Sequence, residues 1–205
     1  MRPWLGFAAT LALAACQAAP GGIGAASPEP TDGLAAIPPC ADGLSATLST
    51  GAEVAFMGAA PERPETCLRR MNGRTYRYVL GFWEDGRSGD EAGARAALRQ
   101  VLTGPVGTKA SFVLRPNSTL ALWRSVTVTH LRDPNLPVAG TPHPTLLLKV
   151  VRQGGTGRED VAAETLFWLD RATLIPLKRE DVVRMDRGAE RELAWRVRAL
   201  TPTPN

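Results

Sequence analysis

Lysine, histidine and cysteine are scarce in this chain of 205 residues. Lys109, Lys149 and Lys178 are the only lysines, and there are two histidines, three cysteines and two tyrosines. Their scarcity narrows the chemistry. No Gly-x-Ser-x-Gly elbow, Walker loop or His-Glu-x-x-His run occurs, so the sequence offers no recognisable nucleophile, nucleotide cradle or zinc helix. Of the two histidines, His130 is spaced from Asp133 so that the carboxylate could orient the imidazole, yet a nucleophile to complete the set is missing. His143 stands in a Pro-rich loop, and the two with one acid do not have metal-ligand spacing. Glu84-Asp85 and Glu159-Asp160 lie beside glycines at strand ends, where solvated turn residues are expected. The sequence predicts no cofactor, no metal, no nucleic-acid partner and no catalytic set.

Long apolar runs are also missing after residue 17; Leu146-Leu147-Leu148 is stopped by Lys149, well short of the ~20 residues a spanning helix needs. Basic residues are absent from 16 to 60, whereas 23 of them face 16 acids from 61 to 205. That imbalance suits an arginine-rich face for oxyanions or a polyanionic partner. A GC-rich coding bias accounts for the same excess.

What the chain does have begins at once. In MRPWLGFAATLALAACQ, Arg2 precedes an apolar run from Trp4 to Ala15, and Cys16 follows two alanines. Charge, short apolar segment and small residues at the cut describe a secretory signal. Leu13-Ala14-Ala15-Cys16 further resembles the lipobox of bacterial lipoproteins. The resemblance implies cleavage before Cys16 and acylation of its thiol, making Cys16 the lipid anchor. Gln17, where aspartate would signal inner-membrane retention, implies the outer membrane on its periplasmic face. Ala12-Leu13-Ala14 fits an ordinary secretory cut as well. Once Cys16 is lipidated, Cys40 and Cys67 remain as an even pair, predicting one disulfide in an oxidising compartment; both reduced and buried is the alternative.

The domain plan that follows is a signal over 1–15, a lipidated terminus and flexible linker over 16–39, a body over 40–200 and a tail over 201–205. Residues 17–39 are small, Pro-rich and Gly-rich, a coil averaging roughly 25–30 Å end to end. Within the body, 45–49 and 53–57 read as short strands and 59–64 as a Pro-rich loop. Asn72-Gly73 marks a turn before the alternating strand Tyr76, Tyr78, Leu80, Phe82. Ser88 to Glu91 reads as a capping box, and Ala94, Ala97, Leu98 and Val101 follow at helical spacing until Gly104-Pro105. From Gly107 on the pattern is β: strands over 109–114, 119–131, 145–152, 161–169, 174–183 and 193–199. The segment 133–144, with four prolines, reads as a long loop. Pro176 predicts an edge strand or a bulge.

Phe167 to Lys178, with its tryptophan, aspartate turn, threonine and returning proline, resembles a hairpin of the LolA/LolB-like lipoprotein carriers. The resemblance implies a curved, incomplete antiparallel barrel with a hydrophobic cavity. The expected fold is therefore a single domain, mainly β with one clear α-helix, seven to nine strands in a strongly curved antiparallel sheet or incomplete barrel. Trp83, Trp123, Trp168 and Trp195 each fall in a separate strand. Trp168 and Trp195 are the candidates to line a cavity for an apolar ligand, although aromatic residues in strands also serve as plain core. The expected function is a non-enzymatic envelope binding or assembly module with a lipid or envelope-protein partner. The alternative is a structural adaptor gripping protein or peptidoglycan through its arginines.

Overall fold

The computed structural model describes residues 33–84, 91–114, 123–155, 160–185 and 188–203. Five strands come first: β1 Asp42–Leu48, β2 Glu53–Ala60, β3 Arg63–Met71, β4 Arg74–Val79 and the short β5 Trp83–Glu84. The helix α1 Glu91–Thr103 follows. Seven more strands complete the order: β6 Lys109–Val113, β7 Trp123–Arg132, β8 Asn135–Val138, β9 Thr141–Gly155, β10 Asp160–Asp170, β11 Pro176–Met185 and β12 Gly188–Pro202. They form one antiparallel sheet in the order β5-β4-β3-β2-β1-β12-β11-β10-β9-β7-β6, with β8 paired to β9 outside that path. Edge strands β5 and β6 do not pair, so the sheet stays open. The helix runs between these two edges in sequence and packs on β6, β7 and β4. The expected fold class is the one observed, with twelve strands in place of seven to nine.

Local chemistry explains most elements. Asn72 and Gly73 carry φ of 52° and 71° and close the β3–β4 hairpin, with Met71 paired to Arg74. Only residues tolerant of the left-handed region make that turn cheaply. At the β10–β11 turn the Asp170 carboxylate accepts from the Thr173 N–H (3.0 Å) and Thr173 Oγ1 (2.7 Å). That side-chain bridge lets Leu174 take a φ of 55°. Pro176 sits at a bulge, opposite Leu169, in a strand flanked on both sides. The missing N–H is thus absorbed by an irregular ladder, the second of the two expected solutions.

The helix buries Ala94, Ala97, Leu98, Val101 and Leu102, the face its spacing predicts. Residues 88–90 of the expected capping box lie outside the described residues. Around the helix gather Val79, Leu80, Val126, Val128, Leu146, Leu148 and Leu169, all at most 2% exposed. Burying each such side chain stabilises the fold by roughly 1.5–3 kcal/mol. Strand β9 is covered twice. Leu146 and Leu148 face the helix-side core, and Leu147 joins Leu166 and Trp168 in a second cluster. A third cluster, Ala46, Leu48, Val54, Phe56, Ile175, Leu177 and Val197, fills the β1–β2–β12 region.

Three expectations need correction. The supposed loops over 59–64 and 133–144 contain strand. Arg63 begins β3, and β8 folds onto the first residues of β9, with Pro137 opposite Pro142. Proline is tolerated there because β8 lies at an edge. The body also starts before Cys40 and ends beyond residue 200. The Leu34 N–H donates to Leu102 O (2.9 Å) and its side chain enters the helix-side core. At the other end Leu44 pairs with Pro202, and Ser45 Oγ lies 3.0 Å from Thr203 Oγ1. Last, the strand over 193–199, in which Leu193, Trp195, Val197 and Ala199 alternate with Ala194, Arg196 and Arg198 in the sequence, does not bury its apolar side evenly. Leu193 is half exposed beside a bulge between Arg179 and Glu180, whereas Val197 is buried. A bulge re-aims the side chains next to it.

Candidate functional site

Three features converge where the chain enters the body. The first is the strap formed by residues 33–39, docked against the C-terminal half of α1. Gly33 lies so close to the backbone of Thr103 and Gly104 that a Cβ there would clash. The second is the disulfide Cys40–Cys67, with Cα atoms 5.2 Å apart, tying the end of the strap to β3. The third is a groove of about 660 Å³ beside them. Ala36, Ile37 and Pro39 of the strap, Leu80, Leu174 and the two cysteines of the disulfide line it. Glu65 and Arg99, ion-paired to each other, also line it, with Arg95 Nη1 3.3 Å from the same carboxylate. Apolar walls and few polar groups suit a chain-like apolar ligand or side chains of a partner.

Behind the strap runs a buried polar network. His130 is fully buried; its Nε2 is 2.7 Å from Asp133 Oδ1 and its Nδ1 is 3.2 Å from Gly104 O. Asp133 Oδ2 lies 3.0 Å from Arg171 Nη1, close in distance without the alignment of a hydrogen bond. The Arg171 Nη2 then donates to Gly33 O (3.3 Å). In this way the helix end, β7, the loop after it, the β10–β11 turn and the strap meet through one imidazole and one guanidinium. Both ring nitrogens of His130 are engaged by the protein itself. His143 belongs to a separate network, its Nδ1 3.2 Å from Asp170 Oδ1. Thr145 Oγ1 donates to Pro134 O (2.6 Å) and ties the base of the β8–β9 hairpin between them.

The two tryptophans singled out from sequence do not share a pocket. Trp168 packs with Leu147 and Leu166, and the Lys178 ammonium sits 4.4 Å above its ring. Trp195, half-buried, packs instead with the Leu48–Phe56–Val197 cluster. They pair with Lys178 and Arg179, successive residues of β11, and successive residues of a strand point to opposite faces. Neither lines the groove. Trp83 packs edge-on against Phe112 at 5.2 Å. The Trp123 side chain and Cys16 lie outside the described residues. Missed from sequence were the groove and the strap. Ile37 among prolines was the one available signal, and it reads equally well as linker.

Among the described residues no helix is long and apolar enough to cross a membrane. No protein-family profile matches the chain, and no curated protein matches it. Among solved structures, the crystal structure of the hypothetical lipoprotein YmcC from Escherichia coli K12 aligns at 14% identity and a TM-score of 0.43. The alignment covers 76% of this chain and 86% of that one. A likeness so distant carries no argument about function.

Proposed function

We propose that this chain is a lipid-anchored envelope protein, held at the periplasmic face of the outer membrane through Cys16, and that it binds its ligand or partner without catalysis. The observation that carries the reading is Leu13-Ala14-Ala15-Cys16 at the end of a short apolar run. The bonding of the other two cysteines to each other agrees with it, since disulfides persist in oxidising compartments. So does the length between anchor and body. Residues 17–32 precede the docked strap, and 16 residues reach at most about 55 Å when extended. The groove would then open where tether meets body. Acylation with two or more chains gives stable attachment where a single chain is marginal.

The test is fractionation of a native-like host expressing the full chain, with mass analysis of the mature N-terminus. The expected result is recovery with outer-membrane vesicles and a mature terminus at Cys16 carrying acyl mass. Cys16→Ser should leave the protein released or unprocessed. A mature terminus elsewhere overturns the proposal. The adaptor reading draws on Arg70 and Arg77, exposed on one face of the β3–β4 hairpin, with Arg74 exposed beside the turn on the other. Cross-linking from that hairpin to an envelope protein or to peptidoglycan would favour it.

A further inference from the structure

Among the described residues, most half-buried arginines have a carboxylate. Arg95 has Glu65, Arg171 has Asp133 and Arg179 has Asp181. Arg69 does not. It stands on β3 between Phe56 of β2 and Tyr76 of β4. Its guanidinium carbon lies 4.1 Å from the centroid of the Tyr78 ring and 5.4 Å from that of Phe56. Its Nε is buried without a hydrogen-bond partner. The residue as a whole still reaches solvent. Burial pulls its pKa down to about 10, opposed only by the Tyr78 phenol nearby. A buried cation is ordinarily paired, and each orphaned buried donor in a native structure asks for an explanation.

Stacking occupies the flat faces of a guanidinium and leaves its N–H rim free. That rim is the part that grips a planar or tetrahedral oxyanion in a fork. We propose that Arg69 anchors an oxyanion site, taking a carboxylate or phosphate against its rim while Tyr78 and Phe56 hold its faces. Arg74, exposed across the hairpin from Met71, adds positive potential beside it. Phe56 belongs to the cluster fringed by the partly buried Met71, Leu44 and Trp195. The oxyanion could come as a small ion or as the headgroup of an amphiphile whose hydrocarbon lies on that fringe.

Calorimetric titration separates these sources. The full chain carrying Cys16→Ser, free of detergent, is titrated with inorganic phosphate and with dodecyl phosphate below its micelle threshold. The wild-type site should bind, and Arg69→Met, which keeps an apolar stem, should bind at least tenfold more weakly. Arg69→Lys, a point charge without the fork, should fall between. Dodecyl phosphate binding tenfold or more tightly than phosphate identifies an amphiphile headgroup; equal binding identifies the free oxyanion. No binding of either probe, or equal binding by Arg69→Met, overturns the proposal. Melting without ligand gives a second reading. A cation waiting for its anion burdens the free protein, so Arg69→Met should melt at the same temperature or higher. A fall of several degrees would show that the chain itself satisfies Arg69, and the proposal fails. Because Cys16 is replaced throughout, these results stand apart from the fate of the lipid anchor.

Discussion

The helix-side core and the β1–β2–β12 cluster are made of the same residue types and differ in closure. Around α1, Leu98, Val101, Leu102, Val126, Val128, Leu146 and Leu148 are wholly buried. In the other cluster Leu48 and Val54 sit at 9% exposure, the fringe of Met71, Trp195 and Leu200 is only partly covered, and Arg69 stacks on its Phe56. The contrast follows from topology. One helix can cover only the strands it packs on, β6, β7 and β4, near the two ends of the open sheet. The remainder of the sheet finishes with side chains that tolerate water.

Substitutions can break this contrast or sharpen it. The largest effect is expected from Leu98→Ala, about 3–4 kcal/mol, because the packed helix face cannot relax into the space. Leu48→Ala should cost less, about 2 kcal/mol, since its surroundings already meet solvent. Chemical denaturation of both variants tests this, and equal losses would erase the distinction between the two clusters. Next comes the pair Cys40→Ser with Cys67→Ser, which frees a separation of 27 residues. It should cost about 3 kcal/mol, a fall of roughly 6–12 °C in Tm.

Arg171→Met is expected to cost about 1–3 kcal/mol by leaving Asp133 buried beside His130 without its cation. Amide exchange would locate the damage. The Leu34 N–H, bonded to Leu102 O, should exchange faster while the β9–β10 ladder keeps its protection. The smallest effect is expected from Arg77→Ala. Arg77 pairs with Glu62 at 2.8 Å in the open, both about half exposed, and such pairs contribute little. The Glu62 carboxyl is held below its usual range first by a backbone hydrogen bond and only then by Arg77. Its titration, followed by NMR, should therefore move up part of the way while Tm stays unchanged.

What sequence could and could not reveal divides along the range of the interactions. The Asn72-Gly73 hairpin, the apolar face of α1 and the Asp170–Thr173 turn are decided by neighbours within four residues, and each was readable. Strand β8 was hidden because two of the prolines that argued for a loop, Pro137 and Pro142, face each other across an edge pair. The strap was hidden because Leu34 gains its burial from Leu102, far along the chain. Trp168 and Trp195 were plausible together on alternation alone. Only the register on β11 separates them. Arg69 looked like one of many arginines until Phe56 and Tyr78, from two different strands, closed on it.

The pairing of β1 with β12 has a consequence for how the molecule assembles. These strands come from the two ends of the body, yet they sit side by side in the middle of the sheet. Until β12 is synthesised, β1 has a bare edge, and β11, β10, β9, β7 and β6 form a half-sheet with another. Bare edges invite pairing with foreign chains, and closing a seam between distant segments is slow. Strand β12, the fifteen residues Gly188–Pro202, therefore acts as a zip drawn late in folding. Truncation there should yield two sticky halves, not a slightly weakened whole.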